Sequence, residues 1–262
     1  MALVTDSIQY ELRDRTAWVT LSQPDRGNPI DMALAVALCD AVERARRDDV
    51  HVLVLQAEGK AFSVGGDIAA MGASEEPGEF IRELADTLHQ GVAGLLALDA
   101  IVVSVVRGTA AGAGFPLAAA ADIVLAASDA RFTLAYTKIG LTPDGGSSML
   151  TSTLGLQRTL HYALLNPLLS AADLQAAGVI AQVHAPEELD AARDKVVATL
   201  LAGSRAAQVG AKRLLRDKVA PDPIVDLDKE TDGISRAAGS PDGREGVRAF
   251  LDKRSPAFPS SA

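Results

Sequence analysis

The chain has 262 residues, 48% hydrophobic but only 4% aromatic, enough aliphatic surface for one sizeable core and an argument against a second large domain. A formal net charge of −9 speaks against nucleic acid as a partner, because phosphate binding needs a basic face. A single cysteine, Cys39, excludes an intrachain disulfide framework. No stretch reaches the roughly 18 apolar residues of a membrane span. With Asp6 and Glu11 early and no basic segment leading into an apolar run, a cytoplasmic protein is expected.

In chain order, Ile8 to Leu12 and Ala17 to Leu21 alternate in the manner of a hairpin, with Trp18 as a packing residue. Asp31 then reads as the N-cap of an amphipathic helix reaching about Arg47, and Cys39 inside it as a buried structural thiol. Val52 to Leu55 is a buried strand feeding the glycine-rich stretch Lys60-Ala-Phe-Ser-Val-Gly-Gly-Asp-Ile68, where Asp67 is expected to cap the next turn. Residues 70 to 79 lack periodicity and are rich in turn formers, which predicts a mobile loop near the site. Ile101 to Val106 repeats the buried strand before a second stretch, Arg107-Gly-Thr-Ala-Ala-Gly-Ala-Gly-Phe-Pro-Leu117. From about Ala171 the pattern is almost all helical, interrupted at Pro221 and Pro223. Alternating strands and helices followed by helices alone indicate an α/β fold built on one core.

Both glycine stretches place small residues where apolar β sequence gives way to helix, leaving backbone N–H groups uncovered by side chains. Convergence of the N–H groups of Gly66 and Ala113 would make an oxyanion hole, each donor worth about 3 kcal/mol in a transition state. Neither stretch has the order of a dinucleotide-binding or Walker sequence. The histidines His51, His89, His161 and His184 are scattered without metal-ligand spacing, so no metal and no cofactor are expected. Ser63 and Ser104 lack histidine and aspartate partners at a recognisable spacing, which leaves a serine hydrolase unsupported.

Together with Leu21-Ser-Gln-Pro-Asp-Arg-Gly-Asn-Pro-Ile-Asp31, Asp122-Ile-Val-Leu-Ala, Gly140-Leu-Thr-Pro-Asp-Gly-Gly146 and Arg244-Glu-Gly-Val-Arg-Ala-Phe-Leu-Asp-Lys-Arg254, the pair resembles the signature of the crotonase (enoyl-CoA hydratase/isomerase) superfamily over nearly the whole chain. The resemblance implies a crotonase-like spiral of ββα units over residues 1–200, carrying an acyl-CoA site. It also implies a C-terminal all-helical segment, 201–262, that drives homotrimers often paired into hexamers. The implied partner is an acyl-CoA thioester, with coenzyme A as part of the substrate, and the implied intermediate is an enolate held by Gly66 and Ala113. Substrate contacts are then expected from Ala61, Phe62, Val64, Gly65 and Ile68, from Gly112 and Pro116, and from His89, Tyr136 and Phe250. Arg26, Lys60, Lys253 and Arg254 are the candidate cations for the phosphates.

Hydratases of this superfamily hold water with two glutamates. Aligned on Gly108, Gly112 and Gly114, the first falls on Pro116; aligned on Phe132 and Gly140, the second falls on Tyr136. Neither carries a carboxylate, which argues against two-carboxylate hydration of a double bond. Asp144 aligns instead with a position where some isomerases of the superfamily carry an aspartate base. It also suits the cap of a helix beginning near Gly145, and the sequence leaves both uses open. His89 lies 19 positions before Gly108 and Asp144 lies 36 after it, spacings that also resemble 4-chlorobenzoyl-CoA dehalogenase. The leading expectation is enoyl-CoA double-bond isomerisation with Asp144 as acid/base. The alternatives are enoyl-CoA hydration, dehalogenase-like hydrolysis using His89 and Asp144, or a catalytically silent acyl-CoA binder.

Overall fold

The computed structural model describes residues 3–4, 6–219 and 222–261. Strand β1 (Leu3–Val4) edges the hairpin of β2 (Ile8–Arg13) and β3 (Thr16–Leu21), which turns through Asp14 and Arg15, both at positive φ. Trp18 is half-buried between the guanidinium groups of Arg13 and Arg193, 4.6 and 4.9 Å from its ring centre, a packing role as expected. Helix α1 (Met32–Arg47) starts where the carboxylate of Asp31 accepts from the Leu34 N–H, and it ends on Arg44, Arg46 and Arg47. Acceptor at the start and cations at the end complement the exposed peptide groups of the two termini. Cys39 donates its thiol to the Thr87 carbonyl.

The spiral follows from a repeated unit: a long apolar strand, a short strand, then a helix. β4 (Val52–Ala57), β5 (Ala61–Ser63) and α2 (Ile68–Ala73) make one turn, continued by α3 (Pro77–Ala97). The next turn is β6 (Ile101–Val106), β7 (Thr109–Ala111) and α4 (Gly114–Ala119), and it is followed by β8 (Ile123–Ala127) and β9 (Arg131–Thr133). β4, β6 and β8 pair in parallel, and every residue of β6 is buried, because helices cover both faces. The short strands β5, β7 and β9 pair in parallel in a second sheet. Every turn thus delivers a connecting loop to the same end of the molecule.

Two 3-10 turns, Thr137–Ile139 and Ser147–Met149, lead to α5 (Leu150–Leu154), α6 (Leu156–Leu165), β10 (Leu169–Ser170), α7 (Ala171–Ala176) and β11 (Gln182–His184). Helices α8 (Leu189–Ala202), α9 (Arg205–Val219), α10 (Pro223–Gly239) and α11 (Pro241–Leu251) complete the chain. Among the described residues the large sheet is ordered β1-β2-β3-β4-β6-β8-β11 and the small one β10-β9-β7-β5. No helix among them is long and apolar enough to cross a membrane.

Two sequence expectations change. Residues 70 to 79 are the end of α2, a short turn and the start of α3; Pro77 stands at the first helical position, where its missing N–H is no loss. The region after Ala171 is not helix alone, since β11 adds in parallel to β8. The interruption expected at Pro221 and Pro223 is present, since α9 ends at Val219 and Pro223 opens α10; Pro221 itself lies outside the described residues. Residues 201–262 serve the core in two ways. Lys212 of α9 reaches Asp122 at 2.9 Å and donates to the carbonyls of Leu95 and Ala100. α10 lies along α3, and α11 rests on α2 and the Thr137–Ile139 turn. At Gly246 a Cβ would come within 2.2 Å of the Ile139 carbonyl oxygen, so only glycine permits that approach.

Candidate active site

Parallel pairing of β5 with β7 places the two glycine stretches side by side, with Ala61 opposite Thr109 and Ser63 opposite Ala110. Gly65 has φ 89°, and a Cβ there would sit 2.8 Å from the Ala111 carbonyl oxygen and 3.2 Å from the Gly112 Cα. The backbones therefore touch. Gly65 is held by its carbonyl, which accepts from the Ile30 N–H, and Gly112 by its N–H, which donates to the Thr133 carbonyl. The next residue along each stretch, Gly66 and Ala113, has a backbone N–H with no acceptor among the described residues. Both residues line one cavity of about 170 Å³.

The walls of this cavity are apolar, with Met71 from α2, Leu84 and Leu88 from α3, Leu141, and Ile234 from α10. Val64 and Phe250, 47% and 56% exposed, form its rim. Asp144 and Lys138 are the charged residues of the lining, and Asp144 is buried. The Tyr136 and Ser147 hydroxyls both donate to the Asp144 carbonyl oxygen, at 2.8 and 2.7 Å. Burial above all, with the charges of Asp144 and Glu230, holds the Tyr136 phenol well above its usual range, so it stays protonated.

Whether Asp144 caps this turn is answered by a residue that sequence reasoning missed. The N–H groups of Gly146 and Ser148 donate not to Asp144 but to the two oxygens of Glu230, at 2.8 and 2.7 Å, and the Ser148 hydroxyl donates there too. Glu230, from α10, takes the capping role. The Asp144 carboxylate is left free of it, and its buried Oδ1 has no hydrogen-bond donor apart from the proton that His89 can offer.

His89, buried on α3, has Nε2 3.1 Å from Asp144 Oδ1 and 3.2 Å from the Gly145 nitrogen, and Nδ1 3.0 Å from the Thr231 hydroxyl. Neutral, the ring donates from Nδ1 to Thr231 and accepts the Gly145 N–H at Nε2. Protonated, it donates from Nε2 to Asp144. Burial pulls its pKa down, but the hydrogen bond to Asp144 and the charges of Asp144, Glu230 and Asp86 outweigh this and raise it above the ordinary 6.5. A raised folded-state pKa gives stability that is complete below the unfolded value and lost as pH rises through the folded one. NMR titration should therefore place the His89 midpoint above 6.5 in the wild type, with a lower midpoint in Asp144→Asn, where burial is less opposed.

The donor atoms of His89, Asp144 and Glu230 lie within 4.8 Å of one another, the makeup of a metal cluster. Both Glu230 oxygens and the His89 Nε2 are engaged by backbone N–H groups, however, which leaves a cation the Asp144 carboxylate alone and a poor fit.

The remaining sequence candidates are spread around this centre. Gly65, Ile68 and Gly112 line the cavity, while Ala61 and Phe62 are buried in β5 behind it. Pro116 is buried in α4 and lines a different cavity of about 390 Å³, along with residues of α3, α5 and α9. Arg26 is committed to Asp31 and Asp67, at 3.1 and 2.6 Å, and Asp67 also caps α2 as expected. Lys60 and Lys253 are exposed, and Arg254 pairs with Glu245.

The sequence model of the enoyl-CoA hydratase/isomerase family matches residues 12–261. The 1,2-epoxyphenylacetyl-CoA isomerase of Escherichia coli is 35% identical over 249 residues, covering 92% of this chain and 93% of that one. The trans-2-decenoyl-[acyl-carrier-protein] isomerase of Streptococcus mutans is 30% identical over 259 residues, covering 96% and 97%. A crystal structure of an enoyl-CoA hydratase from Mycobacterium avium subsp. paratuberculosis K-10 superposes with a TM-score of 0.88 at 35% identity, over 96% and 98% of the two chains.

Proposed function

The chain belongs to the enoyl-CoA hydratase/isomerase family, and from that premise we propose that it isomerises an enoyl-CoA, moving a carbon–carbon double bond through an enolate with Asp144 as acid and base. The thioester oxygen accepts from the Gly66 and Ala113 N–H groups. The Asp144 carboxylate removes a proton from C2 of a 3-enoyl thioester, the electron pair is delocalised onto the thioester oxygen, and the resulting dienolate takes the proton back at C4. The product is the 2-enoyl isomer, and Asp144 ends as it began. Each oxyanion donor lowers this barrier by about 3 kcal/mol, and a placed base contributes about 10²–10⁴ in rate.

The observation that carries this reading is that Asp144 is the one carboxylate among the described residues lining the cavity with the two free amides. Isomerisation is favoured over hydration by the apolar walls and by the Tyr136 hydroxyl, which is spent on the Asp144 carbonyl. His89 bonds to the turn that carries the acid and does not line the cavity, so it is placed to orient Asp144 rather than to activate a water. The trans-2-decenoyl-[acyl-carrier-protein] isomerase among the relatives supports the same choice. A homotrimer or hexamer is part of the proposal, supported by Leu156, Leu160 and Leu164, exposed at four-residue spacing on α6, and sedimentation equilibrium tests it.

The deciding assay incubates the protein with 3-enoyl-CoA and 2-enoyl-CoA thioesters and follows products by chromatography and mass. Conversion of 3-enoyl to 2-enoyl with no change of mass is expected. Addition of one water to the 2-enoyl form as the main reaction would move the function to hydration, and tight binding without turnover would make the chain a silent acyl-CoA binder.

A further inference from the structure

We propose that Glu230 and Thr231, adjacent residues of α10, are positioning residues for the acid–base centre: Glu230 clamps the turn that carries Asp144, and Thr231 sets the His89 ring against it. The inference deepens the isomerase reading and rests on it for its kinetic arm.

The turn after Asp144 is pliable by composition. Gly145 and Gly146 have φ values of 73° and 96°, a region glycine enters without cost and leaves as easily. What fixes the turn is remote in sequence. Glu230, 82 residues beyond Ser148 and 84 beyond Gly146, receives both their N–H groups and the Ser148 hydroxyl. A buried carboxylate is costly unless its lone pairs are satisfied, and here three donors satisfy it. Burial and the Asp144 charge push the Glu230 pKa up, while the bonds from Ser148 and Gly146 act in the opposite sense.

The second half of the device is His89. The Thr231 hydroxyl meets Nδ1, so Nε2 is the atom presented to Gly145 and Asp144. The groups acting on the ring are Asp144 from the site loop, Glu230 at 4.0 Å from α10, and Asp86 on its own helix. Glu230 therefore acts on Asp144 twice, through the backbone of the turn and through the charge that favours a protonated His89. α10 thus completes an acid–base centre whose other parts, His89 and the turn Asp144 to Ser148, lie before residue 150.

The test uses Glu230→Gln and Thr231→Val in the full chain, with two readouts. Glutamine keeps the volume but sets an amide N–H against one of the two backbone donors and removes the charge. For Glu230→Gln, kcat for 3-enoyl-CoA should fall about tenfold while KM stays within about twofold, and the His89 NMR midpoint should move down. Thr231→Val removes the Nδ1 partner with little change of shape, and it should also lower the His89 midpoint and kcat. It carries the test if Glu230→Gln does not fold. Wild-type kcat and an unmoved His89 midpoint in folded variants would overturn the inference, whatever happens to stability. If the wild type does not convert 3-enoyl-CoA, the isomerase reading fails, and the His89 midpoint alone decides: a downward shift upholds the positioning role and an unmoved midpoint ends it.

Discussion

Asp144→Asn should slow conversion of 3-enoyl-CoA to 2-enoyl-CoA by about 10³-fold while leaving acyl-CoA affinity within about twofold. Asparagine has the size of aspartate and cannot take a proton, so the change removes the chemistry and little else. The fold should survive it. The Asp144 carboxylate caps no helix, because Glu230 does that work, and among the described residues its buried Oδ1 has only His89 as a neighbour able to donate. The amide oxygen there can accept from Nε2–H of a neutral His89 in its other tautomer, with Nδ1 accepting from the Thr231 hydroxyl, which keeps the pair bonded without charge. Residual turnover should come from the two backbone donors, which the substitution does not touch. Affinity is read by calorimetry with the 2-enoyl product and rate by product mass. A variant that keeps most of the wild-type kcat would take the acid–base role away from Asp144.

The parts of this site that the sequence disclosed are those set by local pattern. Two runs of buried β-branched and aliphatic residues, Val52 to Leu55 and Ile101 to Val106, each followed by small residues, indicate neighbouring parallel strands with loops leaving at one end. Asp31 announces its helix because capping is a local event. Glu230 was not legible. It stands among Asp226, Asp228, Lys229 and Asp232 and reads as one more solvated acid on a helix; only the docking of α10 along α3 brings it to the turn after Asp144. Residues 70 to 79 misled for a related reason. Pro77 and Gly78 look like breakers, yet Pro77 starts α3, and a Cβ at Gly78 would lie 3.0 Å from the Ser235 carbonyl oxygen, so the glycine serves helix packing. Residue type was clear in each case, and the partner was supplied by tertiary structure.

The adjacency of the glycine stretches makes a second large effect available at one atom. Gly65→Ala should lower kcat by about 10²–10³-fold with a small change in KM, because it forces apart the two amides that serve the transition state more than the ground state. Its new Cβ would stand 2.8 Å from the Ala111 carbonyl oxygen and 3.2 Å from the Gly112 Cα, and both neighbours are backbone with no rotamer to yield. A positive φ of 89° adds a left-handed cost of about 1–2 kcal/mol for any residue with a Cβ, and urea unfolding should show it. Gly66→Ala is the control one position away. Apart from its chain neighbours, no atom of the described residues lies within 4 Å of the Cβ it would introduce, so it should fold with wild-type stability, and the added methyl group, beside the cavity, should act mainly on KM. The contrast separates geometry from composition: if Gly65→Ala keeps its kcat, the contact between the two loops does not set the oxyanion hole, and the stabilising donors must be sought elsewhere in the cavity.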